Sequence, residues 1–428
     1  MVSGPITLFL IGHHFTPTQQ GFYYTFNSLL LLQIFFEMGL SFVLVQFSSH
    51  EFSILQWKKW GGVKGGKKIG RFKEIVKQSF RWYGVFTLLF LMLVIPLGFY
   101  FLKSKDTGNL EFGWKLPWAL VGFSTSAILL STPLMAIIEG SGRVKETSLV
   151  RLSQSVISLP IAWLVIMLGG GLFNAATVAF VNAFIVWSWL ATKNPLLLKT
   201  GFSGMCKDAT SASTSALSFS WRQEVWPMQW RIAISWISGY FINQLFVPLL
   251  FYYQTAEIAG KMGMTLSLAN MLPVIGQAWL TSKAPFLGRL VAQKSWKELD
   301  LMFFKLVAQS SSVVFLGVCV LAMTPLVFRD LSIFQRLLPP KEIAILSLSA
   351  FITHLINCFA QYLRSFKREP MMGVSVIGAL LVTALAWYCG KYYSSRGIVI
   401  SALSLNALFG LPTAVWLWLK YRKLWRVE

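Results

Sequence analysis

Acidic side chains are scarce in this chain. It carries 16 Asp and Glu against 38 Lys and Arg in 428 residues, a formal net charge of +22. Cysteine is scarcer still, with four in all. Cys319, Cys358 and Cys389 fall in or beside apolar segments and Cys206 in a polar gap, so neither a disulfide framework nor a metal site is encoded. No nucleotide-binding motif and no nucleophile–base pair appears, so covalent catalysis is not expected. Long polar stretches are missing too. With 55% hydrophobic residues and a mean hydropathy of +0.60 there is no room for a water-soluble domain. What is present is a series of apolar stretches, each long enough to cross a hydrocarbon core at roughly 20 residues.

The cations are not spread evenly between those stretches. Twenty-nine of the 38 Lys and Arg fall in every second gap: 48 to 82, 139 to 151, 193 to 231, 283 to 305, 364 to 369 and the tail from Lys420. The alternate gaps, 13 to 21, 103 to 115, 168 to 177, 254 to 261, 329 to 341 and 391 to 397, hold the other nine. The positive-inside bias makes the basic gaps cytoplasmic and places both termini inside. Because the cations sit in loops beside apolar spans and not on one folded face, anionic lipid headgroups account for the charge better than nucleic acid does.

The pattern predicts an all-α integral membrane protein with about twelve transmembrane helices: 1–12, 22–46, 80–102, 116–138, 148–168, 172–192, 230–253, 260–282, 304–327, 342–363, 371–390 and 398–419. The first is too short. A cleavable signal does not fit, since Met1 to Ile11 has no basic start and no small-residue cleavage site. Sliding the chain on itself by 239 residues places Gly21 on Gly260, Ser28 on Ser267 and Phe47 on Phe286. The second span thus matches the eighth, and the seventh matches a first span whose opening half is expected to be missing from this sequence. The domain reading is an N-terminal six-helix lobe over 1–192, a cytoplasmic linker over 193–229 containing the run SASTSALS, and a C-terminal six-helix lobe over 230–428. After the second span of each lobe comes a basic amphipathic stretch, with Ile69, Phe72, Val76 and Phe80 in the first and Trp296, Leu299 and Phe303 in the second. Such stretches are expected to lie on the inner leaflet, although the glycines of 58–68 favour a plain solvated linker there.

Polar residues inside the spans are the candidate site. On the tenth span His354, Asn357, Gln361 and Arg364 recur at three, four and three residues, one helix face. On the fifth, Arg151, Gln154 or Ser155, and Ser158 form a similar face. Glu37 is the one clear mid-span carboxylate. A charge there costs roughly 2.5 to 3.5 kcal/mol on insertion scales, so it should face the protein interior. Asn243, Gln244, Asn270, Gln277 and Thr281 add polar groups where lipid is hostile, and Pro248 and Pro273 are expected to interrupt the seventh and eighth spans. Each amide has a plainer reading as a helix–helix hydrogen bond. Likewise Arg151, Arg231, Lys261, Lys283, Arg289 and Arg364 sit near span ends, where snorkelling to headgroups would explain them. Lys261, on the side poor in cations, fits that reading least.

The run from Leu10 to Glu51, LIGHHFTPTQQGFYYTFNSLLLLQIFFEMGLSFVLVQFSSHE, resembles the first two spans of the bacterial polysaccharide transporters. These are flippases for lipid-linked O-antigen and capsule repeat units, within the multidrug/oligosaccharidyl-lipid/polysaccharide exporter superfamily. FYYQTAEIAGKMGMTLSLANMLPVIGQAW, PLMAIIEGSGRVKE and QYLRSFKREPMMGV extend the resemblance over nearly the whole chain in the right order. It implies two six-helix lobes around a central cavity that opens alternately to each side of the bacterial inner membrane. The cargo it implies is an undecaprenyl-pyrophosphate-linked oligosaccharide, with membrane lipids and the polysaccharide polymerase and chain-length machinery as partners. On that reading Arg151, Lys261, Asn270, Gln277, Lys283, Asn357, Gln361 and Arg364 are the substrate-binding candidates lining the lumen. No cofactor is expected beyond a coupling ion, Na+ or H+, for which Glu37 is the candidate.

Rival readings stay open. A multidrug cation antiporter of the same superfamily should carry more lumenal acids. A lipid II flippase usually has two more helices. A membrane glycosyltransferase or polymerase needs catalytic carboxylates or His on sizeable external loops, and here the largest such loops hold only Asp106, Glu111, Asp330 and Glu342 as acids.

Overall fold

A computed structural model describes residues 3–52, 55–64, 68–106, 110, 112–203, 220–327, 332–366 and 370–427. Residues 204–219 of the expected linker, with Cys206 and the SASTSALS run, and Glu111, Asp330 and Lys367 to Glu369 therefore lie outside the described residues. Helix dominates: α1 (Ser3–His14), α2 (Pro17–Leu30), α3 (Gln33–Glu37), α4 (Leu40–Glu51), α5 (Lys68–Lys103), α6 (Lys115–Gly140), α7 (Val144–Met167), α8 (Phe173–Lys193), α9 (Pro195–Ser203), α10 (Trp221–Glu224), α11 (Trp226–Asn243), α12 (Phe246–Tyr253), α13 (Ala256–Ala292), α14 (Trp296–Val327), α15 (Ser332–Gln335), α16 (Pro340–Arg364), α17 (Met372–Leu405) and α18 (Leu411–Val427). The strands are β1 (Gln56–Trp57) and β2 (Val63–Lys64), an antiparallel hairpin.

Eight helices are long and apolar enough to cross a membrane, and two bent pairs, α2–α3 with α4 and α11 with α12, raise the number to ten. The last of the eight, Met372–Arg426, has 55 residues, far beyond one crossing at 1.5 Å per residue. It reverses at Ser394 (φ 56°), so that Gly390 faces Ile398 and Gly378 faces Phe409. That hairpin makes two spans, and with the short α1 the described residues give the expected twelve. The chain is a multi-pass membrane protein.

Two compact units divide the chain. The first comprises Met1–His14 and Phe26–Ile237. Here α6 packs on α4, α5 and α8, α8 packs on α7, and α1 lies against α7. The second comprises Phe15–Thr25 and Ser238–Glu428, with α13, α14 and α16 packed mutually and α17 and α18 against α16. The N-terminal half of α2 thus belongs to the second unit. Its entry is capped: Thr16 N–H donates to Gln19 Oε1 (3.0 Å) and Gln19 N–H to Thr16 Oγ1 (3.2 Å), with Pro17 at the first helical position.

In lipid, helices gain nothing by merely hiding apolar surface from each other, so crossings rely on small residues that let backbones approach. A Cβ on Gly21 would lie 1.9 Å from the Ala256 carbonyl oxygen, and one on Gly260 2.7 Å from Gly21 N. The residues that the 239-residue shift equates therefore touch. Gly263, the counterpart of Tyr24, likewise leaves room for the Tyr24 ring, 2.4 Å from where its Cβ would stand.

Both amphipathic stretches differ from expectation. Phe72, Val76 and Phe80 are buried, with Ile69 packed beside them, in a core with Leu134, Ile137 and Leu190. Leu299 and Phe303 are buried beside Tyr362 and Trp418, and Trp296 stacks on Phe366. The apolar faces meet protein, not the inner leaflet, because α5 and α14 each continue from stretch into span without a break. Nor does Pro273 interrupt its span: α13 runs through it. The seventh span does break, at Gln244–Leu245, with Pro248 in the first turn of α12 where its missing N–H costs nothing.

Candidate functional site

The second span is broken beside its acid. α3 ends at Glu37, Met38 (φ 51°) and Gly39 (φ 65°) take the left-handed conformation, and α4 leaves at 46°. Glycine is required at 39 twice over, since a Cβ there would also sit 2.3 Å from Ile232 Cγ2. The break presents the half-buried Glu37 carboxylate to two hydroxyls: Ser41 donates a short hydrogen bond to Oε1, and Tyr83, buried on α5, donates at 3.4 Å.

Ser41 is also in the wall of a cleft of about 330 Å³ within the first unit, between α4, α6, α7 and Trp236. On its floor and sides stand Ser131, Thr132, Glu139, Arg151 and Gln154. Arg151 Nη2 lies 2.5 Å from Glu139 Oε2 while 56% of its side chain stays exposed. A guanidinium has five donors, and this partner engages only part of them. Gln154 Nε2 donates to the Asn182 carbonyl (2.9 Å), leaving its own oxygen as acceptor. The cleft thus offers a partly satisfied cation, an amide and hydroxyls one turn from a carboxylate.

The candidates of the second unit fall into separate places. His354 is not on an open polar face: it is wholly buried, with Nε2 at 3.2 Å from Ser310 Oγ and 3.5 Å from Cys358 Sγ, and its ring fills the space that Gly276 leaves. Gln277 Nε2 reaches the His354 carbonyl at 3.5 Å. Asn357 and Gln361 are half-buried and Arg364 is exposed. The tenth-span stripe therefore divides into a buried end and an open end. Asn270 and Asn243, both exposed, border a small recess of about 50 Å³ with Asn406, whose Nδ2 donates to Ser349 (2.9 Å) and Thr353 (3.1 Å). Lys261 is paired with Glu257 at 2.8 Å, one turn away on α13, and Lys283 is exposed. No group of three His, Cys, Asp or Glu among the described residues could hold a metal ion.

Three polar groups with several partners were not singled out from sequence. Gln20 is buried and its Nε2 donates to the Gly260 carbonyl (2.9 Å) and the Arg336 carbonyl (3.0 Å), tying α2 into the second unit. Its signal was the capping pattern just before it. Asn406 begins a π-helical turn to Gly410, a local widening that often accompanies a site. Asp300 takes Arg422 (2.5 Å), Arg426 and Tyr362 (3.1 Å) at the start of α14. Its arginine partners lie some 120 residues away, so local sequence gave no sign of them.

No protein-family profile matches the chain. No curated protein matches it either. Among solved structures it is similar to an inward-facing multidrug resistance MATE family transporter of the MOP superfamily, with a TM-score of 0.66 and 12% identity over 98% of this chain and 99% of the other. It is also similar to the lipid II flippase MurJ in an inward closed conformation, with a TM-score of 0.63 and 12% identity over 97% of this chain and 84% of the other. At that identity the likeness concerns the fold: this chain has the transporter fold that MATE and MurJ share.

Proposed function

We propose that the protein is a flippase that moves undecaprenyl-pyrophosphate-linked oligosaccharides from the inner to the outer leaflet of a bacterial cytoplasmic membrane by alternating access. It would serve the making of O-antigen, capsule or exopolysaccharide. The observation that carries this is the first unit's cleft, where the half-exposed Arg151 and Gln154 stand in a recess of about 330 Å³. A sugar headgroup cannot enter hydrocarbon, because its hydroxyls would lose water without replacement. A polar recess supplies those partners, and a guanidinium matches phosphate geometry. Arg151, Lys261, Asn270, Gln277, Lys283, Asn357, Gln361 and Arg364 are the proposed substrate contacts. The fold likeness to a lipid II flippase supports a lipid-linked cargo.

An exported pyrophosphate moves with the field of a cell that is negative inside, worth about 2.3 kcal/mol per uncompensated charge per 100 mV. Glu37, at the break of its span with two hydroxyl donors, is the proposed residue for a coupling ion, Na+ or H+. The test is complementation of a flippase deletion, scored by surface polysaccharide and by loss of the accumulated undecaprenyl-linked intermediate. Failure to complement, together with export of an organic cation, would replace this reading with the multidrug antiporter.

A further inference from the structure

A second recess, of about 530 Å³, lies in the first unit between the hairpin, the start of α5, and α9. Lys58, Lys59, Lys73 and Lys199 line it beside an apolar wall that includes Val63, Ile69 and Leu196. No acid lines it, and none of the four lysines has an ion-pair partner among the described residues. Four like charges around one recess repel each other. The arrangement is held against that repulsion by helices α5 and α9 and by the hairpin's anchoring.

That anchoring is extensive. Trp57 Nε1 donates to Ser141 Oγ (2.9 Å), and the Arg143 guanidinium lies over the Trp57 ring at 5.0 Å while reaching Asn194 Oδ1 at 2.8 Å. Gly61 (φ 73°) sits so close to Asn194 that a Cβ would lie 2.9 Å from its Cα. Lys58 and Lys59 are thus presented on an anchored hairpin and not on a loose linker, with Lys73 and Lys199 on helices beside them. The same elements leave large apolar side chains exposed: Trp60 in the turn (61%) and Leu196 (48%) and Phe202 (43%) on α9. Lysines interleaved with exposed Trp, Leu and Phe are the composition of a surface that rests at the headgroup level of a bilayer. The gap that supplies three of the lysines is the most basic of the chain, on the side that the positive-inside bias makes cytoplasmic.

We propose that this recess is a binding site for the phosphate headgroup of an anionic phospholipid of the inner leaflet, with the phosphate among the four lysines and the first acyl carbons on the apolar wall. The site does not depend on the identity of the cargo. The experiment is native mass spectrometry of the purified full-length protein with phosphatidylglycerol, with phosphatidylcholine and with inorganic pyrophosphate. Phosphatidylglycerol is expected to be retained over phosphatidylcholine and to be lost as salt rises. Each lysine-to-glutamine change in the recess is expected to weaken it about fivefold, the equivalent of about 1 kcal/mol per surface cation. Lys297→Gln, an exposed cation on α14, should leave retention unchanged. If the variant with all four lysines changed to glutamine does not fold, Lys73→Gln and Lys199→Gln carry the same comparison singly. Equal retention of the two lipids, or unchanged retention in the lysine variants, would overturn the site. Displacement of phosphatidylglycerol by equimolar pyrophosphate would overturn its assignment to lipid.

Discussion

The crossing of α2 and α13 makes a prediction of opposite signs at two glycines of one helix. In Gly260→Ala the new methyl would stand 2.7 Å from Gly21 N and 3.1 Å from Gly21 Cα. In Gly21→Ala it would stand 1.9 Å from the Ala256 carbonyl oxygen and 2.5 Å from its carbon. Those neighbours are backbone, so no rotamer change relieves the overlap and the helices must separate. Separation also pulls Gln20 from the Gly260 and Arg336 carbonyls, at 2.9 and 3.0 Å. Overpacking costs on the order of 3 kcal/mol when backbone must move, and two weakened neutral hydrogen bonds add about 1 kcal/mol each. Gly288, further along α13, has nothing within 4 Å of the place an added methyl would take. There alanine removes only glycine's backbone freedom and should stabilise by roughly 0.5 to 1 kcal/mol. Thermal unfolding in detergent, followed by tryptophan fluorescence, should place Gly21→Ala and Gly260→Ala well below the parent and Gly288→Ala at or above it. A Gly21→Ala protein that melts with the parent would refute the close crossing.

Glu37→Gln should keep the fold, because Ser41 and Tyr83 can donate to an amide oxygen as they do to the carboxylate, yet abolish ion-dependent transport. Unchanged flipping in proteoliposomes under every gradient would reject its coupling role. Arg151→Ala should lower transport at least tenfold while costing under about 1 kcal/mol of stability, since a half-exposed ion pair contributes little; paired transport and melting measurements separate the two. Asp300→Asn should destabilise by about 2 kcal/mol, the worth of its charged hydrogen bonds. Burial opposes the charge of Asp300, which lies before the apolar run of α14, but the hydrogen bonds from Arg426 and Arg422 outweigh that and hold its carboxyl below the usual range. A lowered carboxylate stabilises above its unfolded value of about 3.9 and loses that stabilisation as pH falls through the folded value. The melting difference between Asp300→Asn and parent should therefore be flat from pH 7 to 5 and close only in stronger acid.

The membrane class and the span positions were legible because each rests on a periodic signal: apolar length and alternating cation density. The orientation of side chains was less so. Phe72 and Phe303 carry the same amphipathic spacing whether the face opposite the lysines meets lipid or protein, and only the packing of α6, α8 and α16 decides between them. His354 and Gln361 share a helix face in projection, but α13 and α14 cover one end of that face and not the other. The hairpin at 56–64 was hidden by its glycines, which read as a flexible linker until Asn194 is seen pressed against Gly61. Of the cleft and the break beside it, Glu37, Arg151 and Gln154 stood out as polar residues in apolar surroundings. Glu139 and Tyr83 did not, since each gains its meaning from a partner on another helix.

The repeat also bears on where ion coupling belongs. The shift that equates Gly21 with Gly260 equates Glu37 with Gly276. In the first unit that position carries an acid, held beside a break in its span and near an open cleft. In the second it carries no side chain, and the His354 ring occupies the space, with Val314 at 2.5 Å from where a Cβ would stand. The span around Gly276 is unbroken, so no backbone groups are freed there, whereas the left-handed pair Met38–Gly39 frees them beside Glu37. An ion that crosses needs a group that can exchange partners as the site opens, and a ring sealed among Ser310, Cys358 and Gly276 has no such freedom. The two positions that the shift equates do not share this chemistry. The proposed coupling therefore rests on the first unit, while the equivalent place in the second has been given over to packing.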